Sequence, residues 1–291
     1  MRIFKITLIP IVFCCIVMFS SVPFSSCTKT EFIHDTVKIK VTDTLIKKDT
    51  ITIIDSSKCN CYDLKDGLIA YFNFNKGTLK DSSGLNNHII LNNGATKVPD
   101  RFGVADNAYS FNGAGNFMKV ANHASLSPVN ITMMGIVKLK GYYKGDFRQN
   151  QILIKGYRDQ HQGIYGMRVG PTTGDCCTPP IDTTKEAFYG YYGDFGSTIS
   201  TFDATNFVQV NKWATLVVTY DGFQLKVYVD GILKNTVVGT PTYTPNPYDV
   251  LIGGTENTSY PYWFNGVIDE IRIYNKALCA DAVKQLSNLK E

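Results

Sequence analysis

Glutamate is scarce in this chain. Of 25 acidic residues only five are glutamate, at Glu31, Glu186, Glu256, Glu270 and Glu291. Asp269-Glu270 is the one adjacent acidic pair, and neighbours on a strand face opposite sides, so that pair is not expected to flank a single substrate bond. Histidine is equally sparse: His34, His88, His123 and His161 lie far apart and form neither an HExxH pair nor a Cys/His metal spacing. His88 and His123 are read as structural loop residues. GxSxG and Gly-rich phosphate-loop motifs are missing. The 29 lysines and arginines are dispersed and leave a net charge of +4, which excludes the basic footprint of a nucleic-acid protein. Eight cysteines in 291 residues are too few for a disulfide-built scaffold. What remains is a chain with 44% hydrophobic and 12% aromatic residues, enough to bury a core.

The N-terminus carries the one long apolar run. Arg2 and Lys5 precede Ile6 to Phe19, and Ser20, Ser21, Pro23, Ser25, Ser26 and Cys27 follow. A run of about 14 residues falls short of the ~20 that span a bilayer and fits an export signal. Ser25-Ser26-Cys27 resembles the lipobox of bacterial lipoproteins, where cleavage before the cysteine is coupled to its lipidation. The resemblance implies a signal peptide over 1–26, a lipid on Cys27, and anchoring to the outer membrane of the cell envelope, on its surface or periplasmic face. An ordinary signal peptide with an incidental cysteine is the plainer alternative. Residues 28–58 are rich in threonine and β-branched residues and contain no glycine or proline. Asp-Thr-aliphatic recurs at Asp35, Asp43 and Asp49. Such a segment favours extended backbone but is too short to build its own sheet, so 27–61 reads as a tether. Self-association through these strands is the alternative.

From residue 62 to 291 the pattern changes to short apolar runs separated by turn residues. Leu68–Phe74, Ala108–Phe111, Phe117–Val120, Ile131–Leu139, Gln151–Lys155, Tyr165–Val169 and Phe188–Tyr192 are predicted strands, as are Trp213–Tyr220, Gln224–Val229, Ile232–Asn235, Leu251–Gly253 and Val267–Tyr274. Asp221-Gly222 and Asp230-Gly231 stand between runs as hairpin signals. Only Ala280 to Leu289 reads as helix. Repeated short strands over one such length predict an all-β antiparallel sandwich or jelly roll with a short C-terminal helix.

Four segments carry a family likeness. They are Gly67-Leu68-Ile69-Ala70-Tyr71-Phe72 with Asp81-Ser82-Ser83-Gly84, and Ala108-Tyr109-Ser110-Phe111-Asn112-Gly113 with Phe117–Val120. Trp213–Gly222 with Val227-Tyr228-Val229-Asp230-Gly231 is the third, and Phe264–Leu278, containing Ile268-Asp269-Glu270-Ile271-Arg272-Ile273-Tyr274, is the fourth. In this order they resemble laminin-G-like domains of the concanavalin A-like lectin/glucanase superfamily. The resemblance implies a jelly roll that binds a glycan or a host or envelope glycoprotein. It also implies a structural Ca²⁺, with Asn75, Asp81 and Asp269 as ligands and Asn75 standing where the family often has aspartate. Glucanases of the superfamily place carboxylates in an E-x-D-x-x-E pattern on one strand, which this chain lacks. A non-catalytic module is therefore expected; the alternatives are an adhesin that binds protein through the same face and a glycoside hydrolase with unrecognised aspartates.

Sugar rings pack on exposed aromatics while polar side chains read their hydroxyls. The aromatic-rich stretches Phe188–Tyr192 and Tyr260–Trp263, with Arg168, supply Arg168, Tyr191, Tyr192, Tyr260, Tyr262 and Trp263 as candidate ligand residues; Tyr142 and Tyr143 are a further pair. Trp213, within a family motif, is expected in the core. The fold also implies that the first and last strands pair, which would bring Cys61 (or Cys59) toward Cys279 as a closing disulfide. Cys176-Cys177 is left open between a vicinal disulfide and two thiols.

Overall fold

Alternation decides which side chains meet. In Leu216, Val218 and Tyr220, in Leu225, Val227 and Val229, and in Tyr165, Met167 and Val169, every second residue is apolar and enters one shared core. The computed structural model describes residues 63–141, 149–156, 163–171, 186–202, 208–256, 259 and 261–289. Cys27, the tether, Cys59, Cys61, Tyr142, Tyr143, Cys176, Cys177 and Tyr260 lie outside these residues, and with them the expected lipidation and the Cys61–Cys279 bridge.

Among the described residues, two antiparallel sheets face each other. One runs in the order β13 (Ile232–Val238), β12 (Gln224–Val229), β11 (Trp213–Tyr220), β6 (Ile131–Leu139), β15 (Asn265–Tyr274), β4 (Ala108–Asn112) and β3 (Thr96–Val98). The first strand, β1 (Leu68–Phe72), pairs with the far end of β15, Leu68 opposite Tyr274, so first and last strands do pair. The other sheet runs β10 (Ile199–Phe202), β9 (Glu186–Gly193), β8 (Ile164–Pro171), β7 (Asn150–Lys155), β14 (Val250–Ile252), β5 (Phe117–Val120) and β2 (Ile89–Asn93). A short helix, α1 (Ala280–Ser287), follows β15 and buries Ala282, Val283 and Leu286. Among the described residues no helix is long and apolar enough to cross a membrane.

Turn chemistry sets the register. Asp230 and Gly231 both take positive φ (51° and 76°) in the two-residue connection between Val229 and Ile232, the twist a tight hairpin demands. Three strands were not foreseen: β2, β3 and β10, each a strand of three to five residues at the edge of its sheet. Trp213 also corrects its expected place. Ala214 and Leu216 enter the core, so Trp213 turns outward, half-buried, with the Lys138 ammonium 4.9 Å over its ring.

Candidate functional site

The outer face of the second sheet gathers aromatic and cationic groups. Because Tyr165, Met167 and Val169 go inward, Gly166 and Arg168 look out; because Phe188 and Tyr192 go inward, so do Tyr189 and Tyr191 look out. Ile154, Gly166, Tyr191 and Ser200 stand in one row across β7, β8, β9 and β10. A methyl at Gly166 would sit 2.4 Å from the Tyr191 hydroxyl, so the tyrosine lies across the glycine. It packs there on Ile154 and Leu251, with Phe117 alongside, in an apolar cluster separate from the main core. The Arg168 guanidinium lies over Tyr189 and Tyr191, 5.2 and 5.6 Å from the ring centroids. Such cation–π contacts attract the guanidinium to the ring faces.

A cleft of about 350 Å³ opens at this point. Arg168, Tyr189 and Tyr191 line it from the sheet, and Phe195, Gly196, Thr198 and Ser200 line it from the β9–β10 hairpin. Phe195 stands at the hairpin tip with 62% of its surface exposed, whereas Arg168 is 7% exposed. The hairpin is pinned by Asp194. Its Oδ1 accepts the Gly163 and Thr244 N–H groups at 2.5 and 2.8 Å, and its Oδ2 the Thr244 hydroxyl at 3.0 Å. Burial alone would raise the Asp194 pKa, but those donors hold it below its ordinary value. Its backbone carbonyl takes the Ser197 N–H and the Thr198 hydroxyl, fixing the turn that carries Phe195. Arg168 and Tyr191, both foreseen, thus share one cleft. Tyr189, Phe195, Thr198 and Ser200 join them, and only the aromatic density around Tyr189 had marked any of these.

The other foreseen ligand residues divide. Tyr192 is corrected to the core: one position from Tyr191 on a strand, it must face the other way. Its ring stacks with Tyr220 and Tyr243 at 4.5 and 4.6 Å, and its hydroxyl meets the Pro128 and Val129 carbonyls at 3.0 and 2.8 Å. Tyr262 and Trp263 are half-buried in the segment before β15. The Tyr262 carbonyl accepts the Gln151 N–H at 2.8 Å, and Trp263 crosses Gly254 near Phe117, toward the far end of the same apolar cluster.

The foreseen calcium ligands do not fit that role in this structure. Asp81 accepts four protein hydrogen bonds at 2.7–2.9 Å, from the Tyr71, Ser83 and Asn87 N–H groups and the Ser83 hydroxyl. His88 and His123 have structural partners, His88 accepting the Asp81 N–H and His123 capping the turn at Ser125. Asn75 is exposed in a tight turn, its N–H on Asn73. Asp269 is paired with Arg101 at 2.6 Å. Among the described residues no three His, Cys, Asp or Glu side chains gather, whereas calcium requires six to eight oxygens. The expectation for Asp269-Glu270 is also corrected. β15 shifts register against β6 between Ile268 and Glu270, a bulge that sets an extra residue on one strand. Both carboxylates therefore reach one atom, Arg101 Nη1, at 2.6 and 3.8 Å. Neither is open to a substrate: both are buried, and Glu270 also binds Arg272, whose guanidinium lies 4.1 Å over Tyr71.

Several solved structures share this architecture at low sequence identity. Domain 4 of AbnA, a GH43 extracellular arabinanase from Geobacillus stearothermophilus solved with arabinotriose, is 18% identical (TM-score 0.55), covering 76% of this chain and 98% of that domain. The binding domain of Paraclostridial Mosquitocidal Protein 1 is 18% identical with a TM-score of 0.58, covering 77% of this chain. The binding domain of botulinum neurotoxin DC, solved with SialylT, is 13% identical with a TM-score of 0.55, again over 77%. The match takes in 52%, about half, of each of the last two. At these identities the likeness is one of fold. No curated protein sequence matches the chain. A laminin-G-like family model does, over residues 137–284, just over half the chain. By that match, which takes in most of the strands just described, the chain belongs to the concanavalin A-like lectin/glucanases superfamily.

Proposed function

We propose that this chain is a non-catalytic glycan-binding module held at the cell envelope by a lipid on Cys27. The observation that carries the reading is the cleft itself: a guanidinium aimed by two tyrosine rings, an exposed phenylalanine at the mouth, and two hydroxyls on the opposite wall. Aromatic faces take the C–H face of a sugar ring, and Arg, Thr and Ser donate to its oxygens. The described lining holds no carboxylate, histidine or cysteine, so it offers neither an acid–base pair nor a nucleophile–base pair. Arabinotriose on one similar domain and SialylT on another support a sugar-directed use of the fold. The signal-like run ending at Ser25-Ser26-Cys27 supports delivery to the envelope. A glycan array probed with the full chain tests the reading. Retention of one glycan class is expected, with Tyr189→Ala or Phe195→Ala weakening it about tenfold and no sugar turned over. Silence on every glycan, or binding indifferent to both substitutions, would refute it.

A further inference from the structure

Resting on the glycan reading, we infer that Asp194, which stands outside the described lining of the cleft, is a positioning residue that ties the two walls together and so sets glycan affinity. One wall is the β8–β9 face with Arg168, Tyr189 and Tyr191; the other is the β9–β10 hairpin with Phe195, Gly196, Thr198 and Ser200. The hairpin wall has little of its own to hold it. Among the described residues β10 is an edge strand that pairs with β9 alone, over Ile199 to Phe202. A methyl built at Gly196 would meet nothing within 4 Å, and Phe195 is 62% exposed, so packing does little to fix the tip. A segment with few buried contacts opens readily unless its base is bonded.

The bonds at that base converge on Asp194. Its Oδ1 accepts the N–H of Gly163, the residue before β8, at 2.5 Å, and that of Thr244, between β13 and β14, at 2.8 Å. One oxygen thus joins the strand that carries Arg168 to the hairpin that carries Phe195. Oδ2 takes the Thr244 hydroxyl at 3.0 Å, and the Asp194 N–H donates to the Thr242 carbonyl at 2.8 Å. Ser197 closes the same seam from the other side of the turn: its Oγ accepts the Thr242 N–H at 3.1 Å and lies 2.7 Å from the Thr242 hydroxyl. Gly193 permits the bend, at φ 122°, where a Cβ would meet Pro241 at 2.6 Å. Asp194 is 6% exposed, and hydrogen bonds to a carboxylate are about twice as strong as neutral ones. A wall held in place before the ligand arrives loses less freedom on binding, which is how a residue without ligand contact raises affinity.

A double-mutant cycle tests this, read as Kd by calorimetric titration of the full chain with the free oligosaccharide that the glycan array holds most tightly. Asp194→Ala is expected to weaken binding about tenfold. Asp194→Asn should stay within about threefold of the unaltered chain, because its amide oxygen still accepts both N–H groups and its amide nitrogen donates to the Thr244 hydroxyl. If Asp194 acts by placing the hairpin, its loss matters less once the ring is gone. Asp194→Ala combined with Phe195→Ala should therefore bind at most about threefold more weakly than Phe195→Ala alone. A residue that only stabilises the fold would lower the melting temperature and the bound fraction, yet leave the Kd of the folded chain unchanged. Losses that multiply in the double variant, equal losses in Asp194→Ala and Asp194→Asn, or Asp194→Ala binding as tightly as the unaltered chain overturn the positioning role and leave glycan binding standing. Silence of the unaltered chain on the array removes the glycan reading, and this inference with it. Should Asp194→Ala fail to fold by circular dichroism, Thr244→Val takes its place in the cycle: the position is exposed, and the change removes the hydroxyl from Oδ2. The same non-additivity with Phe195→Ala is then required.

Discussion

Arg101 shows how much one side chain can organise. Its guanidinium reaches Asp269 at 2.6 Å, stands 3.8 Å from Glu270 and donates to the Leu289 carbonyl at 3.4 Å, linking an early loop to the last strand and to the segment after α1. Burial raises the Asp269 pKa, and the Arg101 charge and hydrogen bond pull against that rise. Removing Arg101 would leave Asp269 buried and uncompensated. Arg101→Gln is therefore expected to cost about 3 kcal/mol at neutral pH. The sign of its pH dependence follows: with the folded pKa raised further above the unfolded one, the variant binds more protons folded than unfolded, so it regains stability as pH falls toward the carboxylate range. Urea melts of both proteins at neutral and mildly acid pH read this directly, and a gap that widens on acidification would contradict it. Since the protein's own cation already fills this position, chelator or millimolar calcium is expected to leave the melting temperature of the unaltered chain in place. A clear drop with chelator would show that a metal holds the fold by other ligands.

The element that matters most for binding is the β8–β9–β10 ladder. Its outward row works because Gly166 leaves room for Tyr191. A methyl there would meet the Tyr191 ring at 2.4–2.5 Å and the Leu153 carbonyl at 2.8 Å, so even alanine must displace a ring or a strand. Gly166→Ala is expected to cost about 1–3 kcal/mol by overpacking and to weaken glycan binding by tilting Tyr191 out of its row. Unchanged melting and unchanged binding would show that Tyr191 does not depend on this glycine. This ladder also shows what can be read from residues alone. Strand β9 was legible in Phe188–Tyr192, and Arg168 and Tyr191 were legible as candidates because aromatic residues crowd that stretch and sugar rings pack on aromatic faces. Tyr192 was misassigned because an aromatic run does not reveal its parity until a partner strand fixes it. Ser200 and Thr198 carried no signal at all: a short Ser/Thr strand has little pattern, and these hydroxyls face the cleft only through the pairing of Ser200 with Tyr191 and the turn that Asp194 closes. The bulge at Asp269-Glu270 was invisible for a similar reason, since it exists only relative to β6.

At the scale of the whole molecule the interior of the sandwich holds several phenols. Tyr165 and Tyr192 are fully buried and hydrogen-bonded to the Leu126, Pro128 and Val129 carbonyls, and burial raises both pKa values. Burial also raises Tyr274, Tyr228, Tyr220 and Tyr109, and pushes Tyr243 up to about 12. An unfolded tyrosine loses its proton near pH 10 while these keep theirs, so above that pH the folded chain binds more protons and stability falls as pH rises. Each such tyrosine contributes up to about 1.4 kcal/mol per pH unit, and several act together. Lys155 opposes them over a lower window. Buried with its ammonium on the Asn122 side chain and the Tyr248 carbonyl, it is brought down to about 8 by desolvation, against the pull of Asp249. Between about 8 and 10 the unfolded chain holds the extra proton, so this lysine adds stability as pH rises. The two effects predict a melting temperature that holds or climbs up to about pH 10 and then collapses. In that collapse the buried tyrosines should ionise only as the sheets open, so tyrosinate absorbance and loss of far-ultraviolet ellipticity should move as one transition. If the absorbance of the buried tyrosines rose gradually while the ellipticity stayed intact, water would be reaching the phenols in the folded state, and the closed aromatic core described here would be wrong.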